Sequence, residues 1–298
     1  MIKIDDQKDP QLYYNVDAGV EFCRNIPDKK LDKKVNFHSF WVGDFGRKQS
    51  LPIKSFFATQ DLENATLNLW STHDLSNNEH LKPFKEKINF RLWDPVKEAK
   101  GTIVENLPHL NATDKKFWVD GDLFRLLALH KYGGVYFDMD IVLLRNFAPL
   151  LEQEFLYKWG TEKNMINGAV MHLNAGSQLS IDLLDELSRR HPTPLTTSWG
   201  NDVYVAVHQR NKSMTVFPAA FFNTEWQISP DFYHKYPGIE SEQGLLMPFK
   251  KCEQSNYLFD GVFSWHWHGK WKEEIQNGSK WQLLEELTDN KLKIKGLQ

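Results

Sequence analysis

Two acidic residues, Asp138 and Asp140, are the strongest candidates for chemistry in this sequence of 298 residues. They follow the apolar run Val135-Tyr136-Phe137, which is typical of a central strand. If the strand continues through them, both carboxylates point to one side, where they can share a divalent cation. An acidic pair after a strand is also common in a turn or a helix cap, so the residues alone leave both interpretations open.

Asp122 and Arg125 precede this pair and are spaced by one helical turn. Arg125 carries a permanent cation with a forked set of donors, which suits a phosphate group. The alternative is a salt bridge to Asp122 that only ties the helix to a loop.

A third group of candidates is the cluster FSWHWHGKW near the end of the chain. On an extended segment, His266 and His268 point to the same side, and a neutral imidazole is a good ligand for Mn²⁺ beside carboxylates. Which of the two would bind a metal stays open. The neighbouring Trp265, Trp267 and Trp271 either form part of a lid that excludes water or pack a helix against the sheet.

The elements that position these residues follow from apolar periodicity. Strands are predicted for the runs VNFHSFWVG, ATLNLWS and INFRLWDP, which are separated by polar stretches long enough for a helix. Strand, crossover and strand in repetition predict a mostly parallel α/β sheet flanked by helices. In open sheets of this kind the ligand crevice lies outside the carboxyl ends of the strands, where Asp138 is expected.

Helices are predicted from capping signals and apolar runs. Asp120 and Asp122 suit a helix N-terminus, the run Leu123–Leu129 is nearly all apolar, and Gly133-Gly134 supplies a stop. Further helices are expected from Ser180 to Arg190 and from Lys280 to Thr288, followed by a polar tail. A short amphipathic segment on the outside of the main fold is expected before residue 35.

Composition narrows the class of partner. The formal net charge is −3, so no global positive field would gather nucleic acid. The N-terminus does not resemble a secretory signal, and no apolar run reaches the about 20 residues of a membrane helix. These features predict a cytoplasmic protein; peripheral attachment to a membrane and the oligomeric state stay open. Cys23 and Cys252 lie far apart and are expected to be inert thiols.

The block Asp122-x-x-Arg125 followed by LLALHKYGGVYFDMD resembles the DXD sugar-binding region of a glycosyltransferase family. That family includes capsular-polysaccharide and mannosyl-type transferases, α-1,4-galactosyltransferases and the large clostridial toxin glucosyltransferases. The segments NFHSFWVGD, INFRLWDP, NGAV and HWHGKW are similar to further parts of the toxin domain, in the same order. The resemblance extends from about Val35 to Trp271, and the central block is its specific part.

The resemblance implies a GT-A fold with a Rossmann-like sheet, a UDP-sugar donor, Mn²⁺ or Mg²⁺, and retention of anomeric configuration. It implies that Asp140 holds the metal, that Asp138 shares it and orients the ribose, and that Trp41 stacks on the uracil base. The other residues that it places at the donor are Phe40, Asp122, Arg125, Asn167, Gly168 and Trp271. It places Asn201 and Asp202 near the reacting face of the sugar, although relatives carry other residues there.

The function expected from this resemblance is transfer of a hexose or N-acetylhexosamine to a glycan or glycolipid acceptor. Two alternatives are a hydrolase of nucleotide sugars and a non-catalytic module that binds a nucleotide or glycan. A single domain is expected, with an extension at residues 1–34, a core at 35–271, and a closing helix and tail at 272–298. Acceptor specificity is expected in the terminal additions and in residues 223–260.

Overall fold

A central β-sheet organises the structure. The computed structural model describes residues 2–4, 7–160, 165–211, 213–223 and 261–297. Within these ranges the strands are β1 (Val35–Trp41), β2 (Ala65–Ser71), β3 (Ile88–Leu92), β4 (Gly134–Phe137), β5 (Ile141–Leu143), β6 (Phe155–Lys158), β7 (Ile166–Leu173), β8 (Thr215–Phe217) and β9 (Ser264–His266). The four strands predicted from the runs that begin near Val35, Ala65, Ile88 and Val135 are confirmed.

Helices cover the sheet on both faces. Those in the described ranges are α1 (Pro10–Tyr14), α2 (Val16–Asn25), α3 (Arg47–Thr59), α4 (Pro95–Ala99), α5 (Trp118–Tyr132), α6 (Gln178–Ser188), α7 (Asn201–Arg210) and α8 (Lys280–Ile294). Short 3-10 helices occupy Glu79–Lys87, Ala148–Leu150 and Ala219–Phe221. The predicted polar tail was wrong in part, because α8 continues through it and buries Leu292 one turn after Thr288.

The N-terminal segment packs on the outside of the fold, as predicted, but forms two helices. Val20 and Cys23 of α2 are buried, and the Tyr13 hydroxyl of α1 donates to the Val216 carbonyl at 2.8 Å. Burial raises the pKa of the Cys23 thiol well above its ordinary value, which keeps it protonated and unreactive. Cys252 lies outside the described residues.

The larger sheet has the strand order β3-β2-β1-β4-β7-β6-β8. Strands β1, β2, β3 and β4 are mutually parallel, and β6 is parallel to β8. Strand β7 is antiparallel to both of its neighbours. The predicted class, a mostly parallel α/β sheet flanked by helices, is therefore confirmed.

The order of the strands creates a crevice between β1 and β4. From β1 the chain moves outward through β2 and β3, and then returns to place β4 on the other side of β1. Such a reversal opens a cleft outside the carboxyl ends of the two strands. Trp41 ends β1 and Asp138 directly follows β4, so both lie at this cleft.

Two glycines, Gly133 and Gly134, lie at the junction between helix α5 and strand β4. Gly133 caps the helix, and its N–H donates to the Leu129 carbonyl. Gly134 has a φ of 104°, and a Cβ at this position would lie 2.0 Å from the Asn36 carbonyl oxygen. Only glycine permits this approach, which brings β4 directly beside β1.

A second, two-stranded sheet joins the end of the chain to the site. Strand β9 pairs with β5 in antiparallel register, with His266 opposite Ile141. This register fixes His266 beside Asp140, the residue that precedes β5. Among the described residues no helix is long and apolar enough to cross a membrane.

Candidate active site

Asp138 and Asp140 form a turn at the crevice rather than a continuation of the strand. The Asp138 N–H still donates to the Ala169 carbonyl of β7 at 2.8 Å, but the Ile141 N–H closes back on the Asp138 carbonyl at 3.0 Å. Met139, between them, is buried and accepts a contact from the Ser39 hydroxyl at 3.1 Å. Of the two interpretations that the residues alone left open, the structure shows the turn, which redirects the chain into β5.

Asp138 is held by Arg125 and Tyr136. One Arg125 amino group lies 3.2 Å from Asp138 Oδ1, and the Tyr136 hydroxyl donates to the same oxygen. The guanidinium also lies over the Tyr136 ring, 4.9 Å from its centroid. Burial raises the pKa of Asp138, and the positive charge of Arg125 opposes that rise. The positive charge of Arg125 therefore favours the ionised form of this partly buried carboxylate.

Asp140 meets His266. Its Oδ2 lies 3.2 Å from His266 Nε2, and both side chains are nearly buried, with 14% and 8% of their surfaces exposed. The other imidazole nitrogen, Nδ1, is 3.3 Å from the Tyr157 hydroxyl. Burial raises the pKa of Tyr157 well above its ordinary value, so this hydroxyl stays neutral and orients the imidazole.

His268 takes a different direction from His266. It has a φ of 57°, and its Nε2 lies 3.3 Å from the side-chain oxygen of Asn223. Its ring packs 3.9 Å from that of His266, and burial lowers its pKa well below the ordinary value. His266 thus lies within hydrogen-bond distance of Asp140, and His268 lies within that distance of Asn223. Among the described residues no group of three or more His, Cys, Asp or Glu side chains converges on one point.

The predicted tryptophans divide between the site and the core. Trp41 is partly exposed, and its ring lies 4.5 Å from that of Trp271. Trp265 and Trp267 are each 1% exposed and pack with Trp281 of α8, so these two attach a helix to the sheet. The lid interpretation therefore applies to Trp271 at most.

Phe40 lies in the core. Its ring is 8% exposed and stacks on Phe124 at 4.8 Å. The alternation of side chains along β1 explains this, since Phe40 and Trp41 point to opposite faces of the sheet. The predicted contact of Phe40 with a nucleotide stays a prediction.

Asn167 and Gly168 lie in strand β7, and their predicted contact with the donor stays a prediction. Asn167 Oδ1 accepts from the Ala169 N–H at 2.7 Å. A Cβ on Gly168 would lie 2.7 Å from the Tyr204 hydroxyl, so the glycine makes room for that side chain. Tyr204 could not be predicted at this position, because its approach to Gly168 depends on how α7 packs against β7.

Asn201 and Asp202 open helix α7 and have local partners. Asn201 Oδ1 accepts from the Ile166 N–H at 2.7 Å, which fixes the start of β7. Asp202 Oδ1 accepts from the Thr197 hydroxyl at 3.3 Å. These contacts give both residues a structural role, and their predicted role at the reacting sugar stays a prediction.

Asp122 is buried beside Arg125. It lies 3.6 Å from Arg125, and the backbone of Gly200 packs so closely that a Cβ there would be 2.9 Å from Asp122 Oδ2. Burial raises the pKa of Asp122 from 3.8 to about 7, with Asp138 and Asp114 adding to the rise and Arg125 opposing it. Arg125 therefore forms a salt bridge with Asp122 and also lies at the candidate site beside Asp138. Both interpretations of the Asp122 and Arg125 pair apply.

A pH-dependent stability difference is expected for Asp122→Asn. The raised pKa means that the folded state binds more protons than the unfolded state between about pH 4 and pH 7, so the wild type loses stability across that range. The variant lacks this loss, and its stability relative to wild type should rise by at most about 1.4 kcal/mol per pH unit. Urea unfolding at several pH values measures the difference. Asp32→Asn, at an exposed aspartate, is the control; a pH-independent difference for Asp122→Asn would contradict the assignment.

The central block of the sequence matches a known protein family. Residues 62–157 match a family described as a glycosyltransferase sugar-binding region containing a DXD motif. An uncharacterized protein of Arabidopsis thaliana is 26% identical over 149 residues, which cover 46% of this chain and 23% of that protein. The predicted resemblance to the DXD-containing glycosyltransferases is therefore confirmed, and the matched region includes Asp122, Arg125, Asp138 and Asp140.

Solved structures support the fold. The apo-form glycosyltransferase GlyE of Streptococcus pneumoniae TIGR4 superposes with a TM-score of 0.51 at 10% identity, covering 90% of this chain and 65% of that chain. The bifunctional glycosyltransferase WbbM gives a TM-score of 0.50 at 12% identity, covering 91% and 53%. This chain spans less than two thirds of each of these structures. The predicted GT-A fold is confirmed.

Proposed function

We propose that this chain is a retaining glycosyltransferase that moves a hexose or N-acetylhexosamine from a UDP-sugar to a glycan or glycolipid acceptor. The observation that carries the proposal is the placement of the DXD turn at the crevice between β1 and β4, with His266 Nε2 3.2 Å from Asp140. The family match of residues 62–157 supports glycosyl transfer as the reaction class. Retention and the choice of UDP rest on the resemblance of the central block.

The residues at the turn suit a divalent metal ion. Asp140 and His266 offer an oxygen and a nitrogen donor at one point, a combination that suits Mn²⁺. In the tautomer in which His266 donates its Nδ1–H to Tyr157, the Nε2 lone pair faces the Asp140 carboxylate, and a cation between these two acceptors would satisfy both. We assign Asp140 and His266 as the primary ligands, and Asp138 as a residue that shares the ion. When bound, the ion supplies charge neutralisation for the leaving diphosphate.

The other residues of the site position the donor. Arg125 fixes Asp138 and places a permanent positive charge at the crevice, where it favours an anionic diphosphate. Trp41 and Trp271 offer partly exposed aromatic surface at the end of β1, suited to stacking on a planar base. Lys48 of α3 donates to the carbonyls of Lys270 and Trp271 at 3.2 and 2.9 Å, which holds the segment after β9 over the crevice.

A thermal-shift screen of UDP-, GDP- and CMP-sugars tests this function. With Mn²⁺, a UDP-sugar at about 100 times its Kd should stabilise the wild type by about 2.7 kcal/mol, and EDTA should remove the effect. Trp41→Ala should weaken UDP binding by about 1 to 3 kcal/mol, the range for aromatic stacking on a base. Tyr14→Ala, at an exposed aromatic residue of α1, is the matched control and should bind as the wild type does.

Three outcomes would contradict parts of this proposal. If GDP- or CMP-sugars stabilise the protein and UDP-sugars do not, UDP is excluded as the nucleotide of the donor. Unchanged binding by Trp41→Ala would exclude the stacking role. Release of the sugar to water at one rate, with or without each acceptor of a glycan panel, would favour a nucleotide-sugar hydrolase.

A further inference from the structure

Three large apolar side chains are exposed at the start of α5 and in the loop before α7. Phe117, Trp118 and Leu195 have 42%, 44% and 49% of their surfaces exposed. Isolated exposed apolar residues are common on protein surfaces, but a contiguous group commonly marks a binding site.

The Asp114 carboxylate accepts hydrogen bonds from the backbone of both segments that carry these residues. Its Oδ1 accepts from the N–H groups of Lys116 at 2.7 Å and of Trp118 at 3.3 Å. Its Oδ2 accepts from the N–H of Val119 at 3.2 Å and lies 3.5 Å from the N–H of Leu195. One buried carboxylate thus ties two segments that are far apart in sequence, so the backbones that carry these exposed apolar side chains lie near one another.

Two of the three residues have an unfavourable backbone conformation. Phe117 and Leu195 have φ angles of 57° and 59°, in the left-handed region. For bulky residues this conformation is an outlier that costs of order 1–3 kcal/mol, and such residues cluster at ligand sites. Neither residue gains burial in return, since both side chains stay exposed.

The surface adjoins the donor crevice. Trp118 lies one helical turn before Asp122, so both occupy the same face of α5. The loop that carries Leu195 continues to Gly200, whose backbone contacts the Asp122 carboxylate. In the proposed function, the acceptor must reach the donor sugar from beside this same crevice.

We propose that Phe117, Trp118 and Leu195 form an acceptor platform, on which a sugar ring of the acceptor glycan stacks against the indole of Trp118. This inference rests on the proposed function and names the residues that select its acceptor. A pyranose ring has one face of C–H groups that packs on an aromatic ring, and hydroxyl groups at its edge that need hydrogen-bond partners.

The surroundings of the platform suit a saccharide. The Lys116 ammonium lies over one face of the Trp118 indole, 4.3 Å from the ring centroid, so the proposal places the sugar on the opposite face, with the ammonium as a hydrogen-bond donor beside it. Three apolar side chains form too small a surface for a stable protein partner, which requires about 800 Å² on each side.

A glycan array tests the platform without relying on turnover. Fluorescently labelled wild-type protein is applied with UDP and Mn²⁺, and its signals are compared with those of Trp118→Ala and Trp118→Phe. We expect the Ala variant to lose about tenfold in apparent affinity for the glycans that the wild type binds, as truncation of an aromatic anchor does. The Phe variant should retain most of the binding. Leu287→Ala removes an equally exposed apolar side chain on α8 and should leave binding unchanged.

The same proteins are titrated with UDP and Mn²⁺ by calorimetry. This second measurement distinguishes a failure of the acceptor platform from a failure of the proposed function. Loss of glycan binding in Trp118→Ala with UDP affinity within twofold of wild type supports the platform. Equal glycan binding by wild type and Trp118→Ala, or no glycan bound by the wild type, overturns it. Glycan binding that depends on Trp118 in a protein that binds no UDP would keep the platform and overturn the UDP-sugar donor of the proposed function.

Discussion

Asp140→Asn is expected to abolish the Mn²⁺-dependent release of UDP from a UDP-sugar while the protein stays folded. Asparagine keeps the size of the side chain but removes the negative charge that would hold the ion beside His266. Divalent ions contribute several kcal/mol to the stabilisation of a transition-state charge, and about 4 kcal/mol corresponds to a loss of about 10³-fold in kcat. The measurement is the initial rate of UDP release as a function of Mn²⁺ concentration.

The control for this variant is Asp32→Asn, which makes the same chemical change at an exposed residue before β1, at the opposite end of the sheet. It should retain the wild-type rate and the wild-type response to Mn²⁺. Circular dichroism and a thermal melt establish that both variants are folded. An Asp140→Asn protein with wild-type turnover and an unchanged Mn²⁺ dependence would remove the metal hypothesis.

The central strands could be predicted because local patterns and tertiary burial agree there. The runs at Val35, Ala65, Ile88 and Val135 are apolar and bounded by turn residues, and those of β1, β2 and β4 are mostly buried in the structure, whereas β3 lies at the exposed edge of the sheet. The antiparallel direction of β7 could not be predicted, since its run Ile166–Leu173 has the same apolar character as a parallel strand. The end of α8 was missed because charged residues hide the spacing of Trp281, Leu284, Thr288 and Leu292.

The candidate site could be predicted where its members are close in sequence. Asp138 and Tyr136 occupy alternate positions, and Asp122 and Arg125 are one helical turn apart, so local geometry brings each pair together. The partners that come from other elements gave no signal. Tyr157 reaches His266 across 109 positions of sequence, and Lys48 reaches Trp271 across 223.

Arg125 connects these parts into one charged network. Within the described residues it lies 3.2 Å from Asp138 and 3.6 Å from Asp122, and its Nε donates to the Gly121 carbonyl at 3.2 Å. Its side chain is 11% exposed, so solvent screens these contacts only weakly. Removing one member of a buried ion pair leaves the other charge uncompensated, which costs more than the pair contributes as a whole.

Arg125→Met is therefore expected to lower the free energy of unfolding by about 3 kcal/mol at pH 7, a typical cost of an orphaned buried charge. Adding Asp138→Asn should recover part of that loss, because the second change removes the orphaned carboxylate. Urea unfolding of the two single variants and the double variant gives a coupling energy, expected at about 1 to 3 kcal/mol. Arg189→Met breaks an ion pair with Asp185 whose arginine is 66% exposed, and should cost less than about 1 kcal/mol. Additive losses in the double variant would mean that Arg125 and Asp138 do not act together, and the charged network at the crevice would lose its central link.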